Sequence, residues 1–251
     1  MALLPDARVY TLFVVILLRY LILALLGYLI FYVIFRKRWQ HKRIQLKFPA
    51  ANDYGREAGY SVITAIIFTV VGYLTFMTPF KQFTQVYTSI ADFGIGYFLL
   101  SIVLLLVVHD TYFYWTHRAM HHPAVFRYAH LVHHKSTNPS PWAAMAFHPL
   151  EAVVEALYVT CAAILFPVHP LAMFIFLLIM MTYNVYGHLG YELYPKGFSR
   201  SAIGKWINTS VNHNQHHQHF NGNYGLYFLW WDRWMGTIRE DYDEAFDRVP
   251  R

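Results

Sequence analysis

Three groups of histidines carry the chemistry open to this sequence. His117 and His121 stand four apart in HDTYFYWTHRAMHH, His130, His133 and His134 follow as HxxHH, and His213, His216 and His217 repeat that pattern in HNQHH. Offsets of three and four put side chains on one face of a helix, so each group is predicted to present its imidazoles together. Seven of the fifteen histidines fall between His109 and His134, where an apolar run meets polar sequence. Polar rings at that density beside a bilayer are costly unless coordinated. The eight boxed histidines exceed the needs of one ion, and His188, in NVYGHLGYELYP, makes a ninth, so the set suits two metals. Glu192, four residues beyond His188, is placed to ligate or to orient it. Bis-histidine haem is a poor fit, because adjacent pairs such as His133 and His134 do not suit axial ligation. The one cysteine, Cys161, lies in an apolar run, which excludes an intrachain disulfide and a thiolate cluster. Imidazole and oxygen ligands then favour Fe, Zn, Cu or Ni.

Metal-bound imidazoles donate their other N–H to a carboxylate or carbonyl. Asp110, Glu151, Glu155, Asn184, Asn212 and Asp232 lie in or beside the motifs and are candidates for that task. For Asp232 a salt bridge with Arg118 or Arg233 is the alternative. His109, His122, His148 and His219 are open to ligand-orienting, substrate-facing or structural roles, and His41 and His169 are read as hydrogen-bonded structural residues. The Tyr and Trp residues from Tyr224 to Trp234 read as an interfacial aromatic belt rather than a substrate box.

The elements that must position these residues are membrane helices. The 251 residues are 57% hydrophobic and 14% charged, against about 25% charged in a soluble domain. The net charge of +6 resides mostly in cations flanking apolar runs, which reads as a topology signal and not as a nucleic-acid surface. Val9 to Phe35 is a first span, broken only by Arg19, which is predicted to be buried against a neighbouring helix or to snorkel. Its length and the absence of a basic leader argue against a removable signal peptide. Arg36, Lys37, Arg38, Lys42, Arg43 and Lys47 follow with no acid before Asp53. That loop is therefore predicted to be cytoplasmic, with anionic lipid as one possible contact. Spans at Tyr60 to Thr78 and Asp92 to Val108 return the chain to the cytoplasmic face at His109. KSTNPSPW stops the helix, and Pro149 to Phe166 with Leu171 to Tyr186, joined by PVHP, form a tight transmembrane or re-entrant hairpin. The sequence ends in REDYDEAFDR, predicted to be a solvated acidic tail.

The fold expected is all-α: an integral membrane bundle of four or five membrane helices under a cytoplasmic histidine-rich helical cap that holds a di-metal site. One folding unit is expected, with membrane helices and the basic loop in 1–91, the catalytic region in 92–239 and the tail in 240–251.

At HDTYFYWTHRAMH, HLVHH, FHPLEA, GHLGYE, HNQHH and NYGLYFLWWDRWMGT, between Asp92 and Arg239, the chain resembles the fatty acid hydroxylase superfamily (sterol desaturase family), above all its sterol C5-desaturase-like branch. The resemblance implies a membrane-bound di-metal oxygenase with His117, His121, His130, His133, His134, His188, His213, His216 and His217 as ligands. It implies two Fe ions, with zinc as a possible occupant, and O2 as co-substrate. The ligands are expected on the cytosolic side, in a bacterial inner membrane or endoplasmic reticulum. The substrate implied is a bilayer lipid, a sterol, fatty acyl chain or related molecule, that is hydroxylated or desaturated. The fatty acid 2-hydroxylase branch has a further histidine where this chain has Glu192. Gly94 and Gly96 lack the third glycine and strand context of a dinucleotide fingerprint, so electrons are expected from a separate donor such as cytochrome b5 or ferredoxin with its reductase. Two rivals are a zinc-dependent membrane hydrolase and a non-catalytic metal-binding or transport protein, which would want ligands inside the spans.

Overall fold

The computed structural model describes residues 7–250, and among them the chain is helical, with only isolated β-bridges. Helix α1 (Ala7–Tyr28) runs on through a π-helical stretch to Ile34 and is followed by α2 (Ala51–Phe76) and α3 (Gly94–Met120). Two short helices, α4 (Pro123–Ala129) and α5 (Leu131–His134), lead to the hairpin of α6 (Pro149–Leu165) and α7 (Pro170–Gly187). Beyond it lie α8 (Ser210–His219), α9 (Trp230–Trp234) and α10 (Tyr242–Arg248). Ala7–Ile34, α2, α3 and α7 are long and apolar enough to cross a membrane. Their outer faces stay apolar and exposed, as at Leu18, Ile22, Val103 and Phe174, which suits hydrocarbon and not water.

The α6–α7 turn reaches the far end of the bundle. Val168 bridges to Val86 in the α2–α3 connection, and Gln85 N–H donates to the Ala163 carbonyl at 2.7 Å. The hairpin therefore runs the full depth of the bundle, and of the two expected forms the tight through-going one is present. Small residues let the helices close: Ala24 and Ala65 pack with Ile16, Tyr20, Met181 and Val185.

Three helices open on a His-Pro pair. Nδ1 of His122, His148 and His169 accepts the N–H of Ala124, Leu150 and Leu171 at 3.3, 3.2 and 3.1 Å. The proline that follows has no N–H to leave orphaned at the first helical position. These three histidines are helix caps.

Helix α2 starts at Ala51, nine residues before the expected Tyr60. Asp53 caps it by accepting from Ala50 N–H at 3.0 Å, and the extra turns carry Glu57 to the histidine end of the bundle. Buried Glu57 accepts from the hydroxyls of Ser136, at 2.7 Å, and Ser140. This bond ties a membrane helix to the KSTNPSPW turn. The C-terminal segment differs from the solvated tail expected. Its carboxylates stay at least partly exposed, but α10 buries Tyr242 and Phe246 against Val211 and Leu229, because those two aromatics share one helical face at a spacing of four. Glu57→Ala is expected to lower the unfolding free energy by about 2–4 kcal/mol, since two buried hydroxyls lose their acceptor. Chemical denaturation in detergent measures it.

Candidate metal centre

The structure gathers the eight boxed histidines and His188, but into two groups that cut across the sequence boxes. Nitrogens of His117, His121, His130, His134 and His216 form one cluster, and those of His133, His188, His213 and His217 another, each within 4.8 Å of its companions. The expectation that each box shares one face needs correction. His130 lies at the break between α4 and α5, with φ −126°, and the residue at offset three in each HxxHH points to the opposite cluster. Positions at offsets zero and four converge, because four residues turn a helix by about 400° and three by about 300°. The clusters adjoin: the rings of His134 and His217 stack at 4.9 Å.

Backbone carbonyls fix which nitrogen of each ring carries its proton. Nδ1–H of His121, His216 and His117 donates to the carbonyls of Phe220, Gly222 and Tyr224, at 3.0, 2.8 and 2.9 Å. Three alternate residues of one loop thus hold three rings of the five-histidine cluster. In the other cluster His188 Nδ1–H donates to the Asn184 carbonyl at 2.7 Å. His130 Nδ1 lies 2.8 Å from a Glu151 carboxyl oxygen. A carbonyl can only accept, so Nε2 of each carbonyl-held ring presents a lone pair.

The 220–224 loop adopts an unusual backbone to do this. Phe220 and Asn223 have φ of 60° and 58°, a region that non-glycine residues seldom adopt, and Gly222 between them has φ 76°. Asp232 holds the loop from below, accepting from the N–H groups of Tyr224 and Gly225, both at 2.8 Å, and from the Thr237 hydroxyl at 2.8 Å. It forms no ion pair with Arg118 or Arg233 within the described residues, where every oxygen-bonded donor to it is an amide or hydroxyl. Asn223 adds Nδ2–H to the Asn212 carbonyl at 3.1 Å. The close approach of α7 to α8 needs Gly187, where a Cβ would sit 3.2 Å from the His213 ring.

The remaining candidates lie around the clusters. Glu192 lies outside both clusters: it accepts from the Tyr186 hydroxyl and from the amides of Leu193, Tyr194 and Val211 at 2.9–3.1 Å, joining the end of α7 to the start of α8. Asp110 accepts from the amides of Tyr227 and Phe228. His109 is buried outside both clusters, with Nδ1 2.9 Å from the Tyr227 hydroxyl. Asn184 also donates from Nδ2 to the Ala144 carbonyl at 2.8 Å. Asn212 is buried beside His213 with its side-chain amide unbonded, and Glu155 is half-buried with one enclosed, unbonded oxygen. His219 is exposed. Tyr224 and Tyr227 are buried against the histidines, not spread in an interfacial belt, whereas Trp234 is exposed. Composition could not show which aromatics turn inward; the Asp110 and Asp232 anchors decide it.

The donor set fits metal ions. Nε2 of His117 and Nε2 of His130 lie 3.0 Å apart, and His188 Nε2 lies 3.1–3.2 Å from Nε2 of His133, His213 and His217. A lone pair facing several nitrogens at that distance suits a cation among them. Two nitrogens at right angles on an ion with bonds of about 2.1 Å are about 3.0 Å apart. Nε2 of His121 and of His216, and both nitrogens of His134, are buried without a hydrogen-bond partner. Burial drives the imidazoles toward the neutral, ligating form. It pushes His121 and His188 down to about 4 from the usual 6.5. Burial, then the neighbouring histidines, holds His130, His133, His134, His213, His216 and His217 well below the ordinary value.

An apolar cavity of about 410 Å³ lies among the membrane helices beside the clusters. Phe147, which packs on His133 at 5.3 Å, and Asn184 and His109 form its wall nearest the histidines.

The fatty acid hydroxylase family profile matches residues 102–237, which contain every histidine of both clusters. The chain belongs to the fatty acid hydroxylase family. Among curated proteins it is similar to a Delta(7)-sterol 5(6)-desaturase of Gibberella zeae, 31% identical over 226 residues that cover 90% of this chain and 66% of that protein. It is 27% identical to lathosterol oxidase of Homo sapiens over 190 residues, covering 75% and 62%. It is 32% identical to a Delta(7)-sterol 5(6)-desaturase of Leptosphaeria maculans over 194 residues, covering 77% and 51%. The chain thus spans about half to two thirds of the length of these curated relatives. No solved structure matches it.

A pH dependence follows for this family member in metal-free form. A histidine whose value falls from 6.5 unfolded to about 4 folded binds fewer protons in the folded state between those limits. Stability is therefore full above pH 6.5 and is lost as pH falls toward 4. Denaturant midpoints of the metal-free protein are expected to drop across that window and to stay level from pH 7 to 8.

Proposed function

We propose that the two histidine clusters hold two iron ions, and that the chain is an O2-dependent oxidoreductase that hydroxylates or desaturates an unactivated C–H bond of a membrane lipid. The observation that carries this is the pair of all-imidazole clusters beside an apolar cavity that opens among membrane helices. Sterol desaturases and a lathosterol oxidase among the relatives support the lipid substrate and the redox chemistry. His117, His121, His130, His134 and His216 hold one ion, and His133, His188, His213 and His217 the other. Bound iron would supply the activation of dioxygen, with electrons from an external donor such as cytochrome b5 or ferredoxin with its reductase.

The protein's part is geometric and electrostatic. Carbonyls of Phe220, Gly222, Tyr224 and Asn184 retain the Nδ1 protons, so the Nε2 lone pairs stay aimed at the ions. The Glu151 carboxyl, 2.8 Å from His130 Nδ1, stands where a small turn of that ring would let it do the same. The apolar cavity excludes water and lays an aliphatic segment against the Phe147 and His109 wall, and His109 with Tyr227 sets a hydrogen-bonded pair at that boundary. A lipid enters from the bilayer without crossing water. The six cations between Arg36 and Lys47 belong to the loop that pairs with Tyr191 and Glu192 at the histidine end, which favours a cytoplasmic site by the positive-inside rule. A bacterial inner membrane or endoplasmic reticulum suits that placement.

Metal analysis of protein purified from iron-replete cells is expected to give two irons per chain, with turnover dependent on oxygen and reductant. Zinc content with anaerobic turnover would establish the hydrolase instead. Lipid profiling with and without the protein is expected to show a gain of one oxygen or a loss of two hydrogens. His133→Ala and His213→Ala are expected to lose the metal of the four-histidine cluster and all turnover. Glu151→Gln is expected to weaken metal retention roughly 10–100-fold, read by chelator competition.

A further inference from the structure

Arg19 is the one cation of α1 in the described residues after Arg8, and it stands in the middle of a span. It is 8% exposed, lines the apolar cavity, and makes no hydrogen bond or ion pair among the described residues, its Nε being buried and unbonded. The other buried arginine has acceptors although its Nε is also unbonded: Arg43 donates to the carbonyls of Leu46 and Lys47 and lies 3.4 Å over the Phe48 ring. An unpaired guanidinium at membrane depth is costly and stays charged. The cavity it lines is mostly apolar, with Leu12, Ile16, Phe68 and Leu177 among its walls.

We propose that this cavity binds an amphiphile with an anionic head, a carboxylate or phosphate-type group, whose charge is met by the Arg19 guanidinium while its apolar body extends toward Phe147 and His109. Planar oxyanions match the guanidinium fork with two parallel hydrogen bonds. The other charge-bearing groups on the wall orient the ligand. Lys81 is exposed and adds positive charge. Glu155 is outside ion-pair reach of Arg19 and lies one turn along α6 from Glu151, the partner of His130. The Phe147 and His109 wall at the histidine end is left for the hydrocarbon. A volume of about 410 Å³ lies in the usual range of roughly 300–1,000 Å³ for small-molecule sites.

The inference rests on the cavity being the substrate site, but it is read by binding alone. Full-length protein with its metals, in nanodiscs of neutral phospholipid, is titrated with the fluorescent long-chain acid cis-parinaric acid. Hexadecanoate, hexadecanol and cholesterol are the competitors. Hexadecanoate is expected to compete at least tenfold better than hexadecanol, and Arg19→Leu and Arg19→Gln are each expected to remove about tenfold of acid affinity while hexadecanol competes as before. Arg19→Lys is expected to retain part of the preference. Displacement of the probe by phosphatidylglycerol, dependent on Arg19, assigns the head group to a bilayer lipid; its failure to displace leaves the free acid as the source. Equal competition by acid and alcohol in the wild type overturns the proposal, as does a preference that survives in both neutral variants, or cholesterol binding tightest with no effect of Arg19. Acid binding without lipid turnover sinks the proposed oxygenase activity and leaves this site standing. Turnover of a neutral lipid without acid preference does the reverse.

Discussion

Lone pairs converging at about 3 Å set the terms for the rest of the molecule. Imidazole nitrogens repel one another at that distance without a cation, and they keep that orientation only if each ring's other nitrogen is held. The holding is done mainly by peptide carbonyls, which can accept and never donate. This makes the tautomers a property of the backbone, so the path of the 220–224 loop matters as much as the histidines. Asp232, Asp110 and Glu192 are consumed in shaping the backbone around the clusters, binding loop and helix-end amides that burial would otherwise leave unpaired.

The gathering of the nine histidines and the helical membrane bundle were legible because they rest on residue type and on apolar run length, whereas α3 runs on past the expected end at Val108 to Met120 and keeps His109 inside the helix. The carbonyl acceptors were not, since a peptide oxygen has no residue signature; the clue was FNGNYG, with glycine and asparagines directly after HNQHH, in a stretch that also reads as an ordinary turn. His122, His148 and His169 could have been read as caps from the proline that follows each. The start of α2 was missed because Asp53, Arg56 and Glu57 lower the local hydropathy while still belonging to the helix. Tyr242 and Phe246 were hidden among acids, although their spacing of four marks a docking face.

Polar and apolar demands divide along the bundle. At the far end, connections meet mainly through backbone carbonyls and amides, as where Gln85 bonds Ala163 and Val86 bridges to Val168. At the histidine end, Glu57, Asn184 and Glu192 draw α2, α7 and the start of α8 together through side chains. Side-chain ties between helices thus gather where rings must be aimed, and the middle of the bundle encloses an apolar cavity. The buried Arg19 is the exception to that division.

The straddling of the HxxHH boxes has a mechanical meaning. His213 and His217 serve one centre while His216, on the same rigid helix, serves the other, and His133 sits against His130 and His134 in the mirror arrangement. The separation of the two centres is thus set by helical pitch, as marks are spaced on a ruler, and not by the loops. Residues added to the connection between the boxes would leave the spacing intact, whereas one residue added within a box would exchange the centres that its rings serve.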